Sequence, residues 1–242
     1  MRFAQQAYVA DVTTPEERAR GMGLIGAAFG RLLSEQPLML NVLADLCIES
    51  EAATATALRV TRAYDEGDAA FRRLATAVAK YWVCKRAPEH VAEALECVGG
   101  NGYVEESVLP LLYREAPLNS VWEGSGNVNA LDVLRALSRE PEVLAAWITE
   151  VGLARGEDPR LDRAIDAALT MLGDTASLEV SARRLAGLMA ACLQGSLLVR
   201  FAPPEVADAF CSSRLGTSYD GTFGMLDSGG LKTIVERATP TM

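Results

Sequence analysis

The sequence predicts an all-α protein, and three observations support this. Half of its 242 residues are apolar and only 6% are aromatic. Much of the apolar content is Ala and Leu, which are strong helix formers. Apolar residues recur at steps of three to four over long stretches, and no alternating strand pattern persists. A chain of this length can bury a sizeable core.

The first half of the sequence predicts two long helices, at about 36–65 and 68–97. Glu66-Gly67-Asp68 separates them, and Gly67 is suited to a helix C-terminal cap. Because the break is so short, the two helices must lie antiparallel. Pro88 predicts a kink or a restart in the second helix. The apolar stripes are Leu38, Val42, Leu46, Ala53 and Ala57 in the first helix, and Phe71, Leu74, Val78 and Tyr81 in the second.

The glycine-rich turn Gly99-Gly100-Asn101-Gly102 ends the second helix, and a loop with two prolines follows. Another helix is expected at about 127–138. The composition stays helical beyond Pro141, and glycine, serine and threonine dominate from Gly216 onward. That last part is expected to be irregular. The further predicted helices are 141–152, 159–173, 175–201 and 203–215.

The charge balance argues against nucleic acid or anionic membranes as partners. The formal net charge is −9, and residues 137–242 carry 10 Lys and Arg against 14 Asp and Glu. The N-terminus has no signal-peptide pattern, and its longest apolar stretch, 22–30, is too short to cross a bilayer. We therefore expect no membrane span.

The cysteines and the single histidine predict no metal site. Five cysteines occur without a CxxC pair, mostly in apolar helical contexts. We expect them to be buried free thiols in a reducing cytoplasm. The lone His90 follows Pro88 and Glu89, and we expect it to face solvent or to cap a helix.

The segment 93–135 carries the candidate chemistry. It contains two glycine-rich turns, each next to a predicted helix end, where a backbone can approach a ligand closely. Glu123 stands between Trp122 and Gly124, and a carboxylate beside an aromatic ring suits a general base. The alternative is an acidic residue near a helix start that the helix dipole favours, with the glycines as ordinary caps.

Three motifs in this segment resemble the acyl-CoA dehydrogenase family. They are the turn Gly99 to Tyr103, the stretch Arg114-Glu115-Ala116, and the loop Trp122-Glu123-Gly124-Ser125. The sequence WEGSGNV at 122–128, followed by LDVLR at 131–135, resembles the AidB-like, alkylation-response branch of that family. The stretches 35–39, 194–198 and 207–211 resemble the same branch, and the likeness covers roughly 29–215.

This resemblance implies a C-terminal four-helix bundle at 29–138, an AidB-like helical extension at 139–215 and an irregular tail at 216–242. It implies that Glu123 removes the α-proton of an acyl-CoA while the β-hydrogen leaves as hydride to FAD. It also implies a homo-oligomer, since proteins of the family are dimers or tetramers. The residues that it places at the FAD are Gly99, Gly100, Trp122, Gly124, Ser125 and Asn127. Among these, Gly99 and Gly100 match the turn that meets the adenine half of the cofactor, often from a neighbouring subunit.

The sequence departs from the family pattern in two ways. The family's N-terminal helical domain and middle β domain have no counterpart here, and Gly26 stands where the family has a phosphate-binding arginine before Phe29-Gly30. Residues 1–28 instead resemble a loop of major facilitator transporters, or form a divergent helix. We therefore expect weak or no FAD binding and no activity by this chain alone. The alternative function is a non-enzymatic helical scaffold or a module associated with the DNA-damage response.

Overall fold

The computed structural model describes residues 32–216, 221–227 and 229–239. Regular structure within these ranges is entirely helical, which confirms the predicted all-α class. Segment 1–28, with Gly26, lies outside them. Two 3-10 turns, Leu33–Glu35 and Ala116–Ser120, accompany ten α-helices. These are α1 (Pro37–Asp65), α2 (Ala69–Cys97), α3 (Gly100–Tyr103), α4 (Leu109–Glu115), α5 (Gly126–Arg139), α6 (Pro141–Gly152), α7 (Pro159–Gly173), α8 (Ala182–Phe201), α9 (Pro204–Arg214) and α10 (Leu231–Ala238).

The antiparallel pair of α1 and α2 is confirmed, with bounds within one residue of those predicted. Gly67 has a φ of 72° in the connection, and the Asp68 side chain caps α2 by accepting from the Phe71 backbone N–H at 3.1 Å. Helix α2 does not restart at Pro88. Ala87 and Val91 are buried against the 3-10 turn at Ala116, and this packing favours a continuous helix despite the missing backbone donor.

One hydrophobic core joins both parts of the predicted architecture. Phe71 and Leu74 from α2 belong to the same buried cluster as Trp147 from α6 and Leu185 and Met189 from α8. Helix α8 is long and apolar enough to cross a membrane, but 72% of its apolar window is buried inside the fold. Its composition therefore suits the centre of this core.

The start of α8 differs from the prediction, which placed it at residue 175. Residues 175–181 form turns, and the helix begins at Ala182. The Ser177 hydroxyl donates to the Asp174 carboxylate at 2.6 Å. Short polar side chains compete with helical hydrogen bonding in this way, and apolar spacing alone does not reveal it.

The predicted irregular tail is wrong for residues 231–238, which form α10. Ile234 is buried against α1, and Arg237 pairs with Glu51 at 2.9 Å. Leu231, Ile234 and Val235 have helical spacing, but the surrounding glycines and serines masked this short signal. The preceding segment also lies on α1, where the Asn41 amide donates to the Leu226 carbonyl at 2.9 Å and accepts from its N–H at 3.0 Å.

The prediction for His90 is wrong, because this side chain is 2% exposed. It packs edge-on against Phe223, with ring centroids 5.8 Å apart. Glu49 lies nearby and forms ion pairs with Arg86 at 3.2 Å and Arg214 at 3.1 Å. Since α2 continues past Pro88, His90 stays on the same helix face as Arg86 and is turned toward the interior.

Replacement of His90 by Gln is expected to flatten the pH dependence of stability between pH 6.5 and 4. Burial lowers the pKa of His90 to about 4; Glu49 opposes this, and Arg86 and Arg214 reinforce it. Between these two pH values the imidazole of His90 is protonated in the unfolded chain and neutral in the folded chain, so the free energy of unfolding falls as pH decreases. Urea denaturation at several pH values measures the slope, and an equal slope in parent and variant would refute the assignment.

Candidate functional site

The loop that carries Glu123 has an unusual backbone. Glu123 has a φ of 54°, the only positive φ of a non-glycine residue in the described ranges, and Gly124 follows with 106°. The Asn129 side-chain amide donates to the Gly124 carbonyl at 2.6 Å and to the Ser125 carbonyl at 3.0 Å. A strained conformation of this kind persists only where its surroundings hold it, and such strain is common at functional sites.

Close packing fixes the loop against α2. A Cβ at Gly126 would lie 2.5 Å from the Lys85 Cε, so the first residue of α5 packs closely on the end of the Lys85 side chain of α2. On the other side of the loop, the Lys80 ammonium donates to the Asn119 carbonyl in the 3-10 turn. The loop is therefore held at both ends by residues of one helix.

Glu123 lines a pocket of about 300 Å³ between this loop and the first half of α2. Two carboxylates line it, and they differ in their partners. The Arg73 guanidinium donates two hydrogen bonds to the Asp132 carboxylate, at 2.8 and 3.0 Å, and so forms a bidentate ion pair with it. No hydrogen bond or ion pair joins the Glu123 carboxylate to another residue in the described ranges. The other lining residues are Tyr64, Ala69, Arg72, Thr76, Ala77, Lys80 and Asn129.

The remaining predicted residues of this loop are accessible to a ligand. The Trp122 side chain is 55% exposed, and Asn127 is exposed in the first turn of α5. Ser125 is the N-cap of α5, yet its hydroxyl makes no capping hydrogen bond. The first N–H groups of this 14-residue helix therefore lie beside an uncommitted hydroxyl.

In the other glycine turn, Gly99 to Gly102, the glycines serve different purposes. Gly99 has a φ of 61°, and a Cβ at Gly102 would lie 2.2 Å from the Leu95 carbonyl oxygen. Conformation and packing therefore require glycine at these two positions. A Cβ at Gly100 would meet nothing within 4 Å, so this backbone is open to approach. The turn also ends α2, as the capping interpretation expected.

The two predicted groups of cofactor residues lie far apart within the chain. The Glu123 pocket borders α2 from Ala69 to Lys80, whereas Gly99 and Gly100 follow its C-terminus. At about 1.5 Å per residue, Lys80 and Gly99 are separated by roughly 28 Å along the helix. The structure thus brings Trp122, Glu123, Gly124, Ser125 and Asn127 together, and it does not bring Gly99 and Gly100 to them.

Sequence reasoning missed most of the polar residues of the pocket, among them Arg73, Asp132 and three that share one face of α2. Arg72, Thr76 and Lys80 recur every four residues on α2 and therefore share one face. This periodicity was visible beside the apolar stripe, but a charged stripe is normally a solvent-exposed face. It also missed Asn129, whose role depends on the loop conformation and has no signal in the sequence.

Comparison with known proteins supports the family resemblance. A family model described as the acyl-CoA dehydrogenase C-terminal domain matches residues 26–138. Escherichia coli K12 AidB, named as an acyl-CoA dehydrogenase, is 40% identical over 196 residues, covering 78% of this chain and 35% of AidB. Caenorhabditis elegans acyl-CoA dehydrogenase family member 11 is 32% identical over 209 residues, covering 75% of this chain and 34% of the relative. The crystal structure of Caenorhabditis elegans ACDH-11 in complex with C11-CoA has a TM-score of 0.61 at 25% identity, covering 87% of this chain and 37% of that chain.

The chain spans about a third of the length of these curated relatives. The matched residues 26–138 include both glycine turns and the Glu123 loop. The structural match extends over most of the chain, including helices beyond the family model. Over residues 26–138 the chain carries the C-terminal domain of the acyl-CoA dehydrogenase family, with AidB among its relatives.

Proposed function

We propose that this chain is the C-terminal part of an FAD-dependent acyl-CoA dehydrogenase, with Glu123 as its general base. The observation that carries the proposal is the state of the Glu123 carboxylate. Its backbone is held in a left-handed conformation, its side chain has no partner in the described ranges, and it lines a pocket with Arg72 and Lys80. A base must keep its lone pairs available for the substrate proton, and the paired Asp132 does not.

The reaction requires a proton and a hydride to leave neighbouring carbons. Glu123 takes the α-proton of the acyl thioester, and the C–H electron pair forms the new double bond as the β-hydrogen leaves with its own pair. Bound FAD would supply the acceptor for that hydride. Negative charge develops on the thioester oxygen during proton removal, and Arg72 and Lys80 favour it from the same pocket.

The residues present fit a bound FAD. The Ser125 hydroxyl and the N-terminal N–H groups of α5 are free to donate to it, while Trp122, Gly124 and Asn127 lie in the same accessible loop. The open backbone at Gly100 suits a second contact. Because that turn lies roughly 28 Å away along α2, a homo-oligomer in which Gly99 and Gly100 serve a neighbouring copy's FAD accounts for both groups.

The proposed substrate class is an acyl-CoA. ACDH-11 was solved with C11-CoA, which supports an acyl-CoA as the ligand here.

The cysteines bear on the cellular location. All five are free; Cys192 and Cys211 are buried and the others half-buried. Burial raises the pKa of Cys192 and Cys211 to about 12, which keeps both thiols protonated and unreactive. Such thiols agree with a reducing cytoplasm.

Flavin absorbance tests the proposal. The chain alone is expected to purify without stoichiometric FAD, because two thirds of its relatives' length lies outside it. A hybrid in which residues 29–242 replace the matching part of AidB is expected to bind FAD. Within that hybrid, Gly100→Leu should weaken FAD binding, whereas Gly173→Leu should not, since both positions have open space around the Cβ. A yellow, FAD-saturated chain or a colourless folded hybrid would each contradict the account.

A further inference from the structure

The C-terminal residues 221–227 and 229–239, here called the strap, are attached to the rest of the fold by a small set of contacts. Three large apolar side chains of the strap are buried, those of Phe223, Leu226 and Ile234. Its polar attachments to α1 include the hydrogen bonds between Leu226 and Asn41, the hydrogen bond from Gly224 to Asp45 and the ion pair of Arg237 with Glu51. Helix α8, by contrast, is buried along most of its length. Segments with few buried contacts open locally while the core stays folded, so we expect the strap to detach before α8 unfolds.

Phe223 of the strap covers the buried imidazole of His90, with the two rings in edge-on contact. The His90 Nδ1 is buried and has no hydrogen-bond partner in the part of the chain that the structure describes. A neutral imidazole has a single N–H, whereas a protonated imidazole carries an N–H on both nitrogens. Protonation beneath the closed strap would therefore leave a buried donor without an acceptor, which is destabilising.

The charged groups around His90 come from three helices. Glu49 of α1 favours the imidazolium, whereas Arg86 of α2 and Arg214 of α9 oppose it. Both guanidiniums pair with Glu49, and Asp45 of α1 also pairs with Arg214. Burial, reinforced by the two guanidiniums and opposed by Glu49, lowers the pKa of His90 to about 4. The closed strap is therefore compatible with a neutral imidazole only.

We propose that the strap is a pH-sensitive switch, which detaches from α1 and α2 when His90 is protonated while the core stays folded. Detachment removes the Phe223 ring and lets water reach the imidazole, so the pKa of His90 rises toward its ordinary value of 6.5 in the open form. Protons then bind the open form preferentially between pH 6.5 and 4, and the closed form loses stability as pH decreases through this window. The equilibrium constant for opening should rise about tenfold from pH 7 to pH 5.

Opening of the strap also removes packing from the end of α2. Phe223 forms a small buried cluster with Leu46 of α1 and Ala94 of α2, and Cys97 packs against this cluster. Cys97 is the last residue of α2, and the glycine turn at 99–102 follows it closely. The switch thus links pH to the mobility of this turn. Only the turn's contact with FAD rests on the proposed function, and strap opening can be measured without FAD.

Hydrogen–deuterium exchange of the full chain, followed by mass spectrometry at pH 7 and pH 5, tests the switch. Observed rates are divided by the intrinsic rates at each pH, so that they report the opening equilibrium. Peptides from α10 and from the turn at 99–102 should lose protection about tenfold at pH 5, whereas peptides from α8 should change less than about twofold. His90→Gln, which cannot titrate, should give α10 the same protection at both pH values.

Phe223→Ala provides a second test if His90→Gln does not fold. Loss of the buried ring should raise the opening constant of the strap at least about tenfold at pH 7. The matched control is Met225→Ala on the same strap, where the side chain is 53% exposed; it should exchange like the parent. An equal pH dependence in the parent and His90→Gln would overturn the proposal. So would equal exchange in the two alanine variants, or loss of protection in α8 together with α10.

Discussion

Glu123→Gln is expected to lower acyl-CoA-dependent flavin reduction at least about a hundredfold in the AidB hybrid, with fold and FAD binding unchanged. The α-proton of a thioester is weakly acidic, so its removal depends on a positioned base, and an amide of the same shape has no such basicity. Because Glu123 makes no hydrogen bond or ion pair within the described ranges, its replacement by Gln is not expected to alter the fold. Stopped-flow absorbance of the flavin measures the rate.

Glu106→Gln is the matched control for this variant. Glu106 is exposed in the loop before α4 and does not line the Glu123 pocket. Its neighbour Glu105 is already paired with Arg114 at 2.8 Å, and Glu115 lies at the end of α4. If Glu123→Gln reduced flavin as fast as Glu106→Gln, the base would have to be another carboxylate.

Glu49→Gln is expected to destabilise the full chain by about 3–5 kcal/mol, because it breaks a buried ion cluster from one side. Glu49 is 4% exposed and holds Arg86 and Arg214. Burial alone would raise the pKa of Glu49, but the two guanidiniums more than offset it and keep this pKa below its usual range. Loss of the charge removes the carboxylate that both arginines share, and leaves Arg86 with Glu89 and Arg214 with Asp45.

Urea denaturation of parent and variant measures the loss, and Glu66→Gln is its control. Glu66 pairs with Arg62 at 2.7 Å, but both side chains are largely exposed. Removal of this surface pair should cost less than about 0.5 kcal/mol. Similar losses in the two variants would show that the buried cluster contributes little to stability.

The sequence predicted the long helices well, because their apolar residues repeat at helical spacing over many turns. Bounds of α6 and α7 match the prediction, and both begin at a proline, which suits the first position of a helix. The predictions for α10 and His90 were wrong for the same reason. Both depend on contacts across the chain: Ile234 packs on α1, and His90 meets Phe223 from residues 221–227.

The candidate site was predicted unevenly. The motif around Glu123 identified the loop, but the sequence could not show its left-handed backbone or the Asn129 amide that holds it. The resemblance placed both glycine turns at FAD, with Gly99 and Gly100 often serving a neighbouring subunit, but the sequence could not show how far apart α2 holds the two turns within one chain. Such separations become visible only when residues are placed along a helix of known length.

Anaerobic titration of the FAD-bound hybrid with decanoyl-CoA tests the central claim most directly. The claim is that this chain supplies the base of an acyl-CoA dehydrogenase through Glu123. We expect the visible absorbance of oxidised flavin to disappear in the parent hybrid and to persist in Glu123→Gln. Persistence in the parent, with FAD bound and decanoyl-CoA saturating, would contradict the account, and so would bleaching in both proteins.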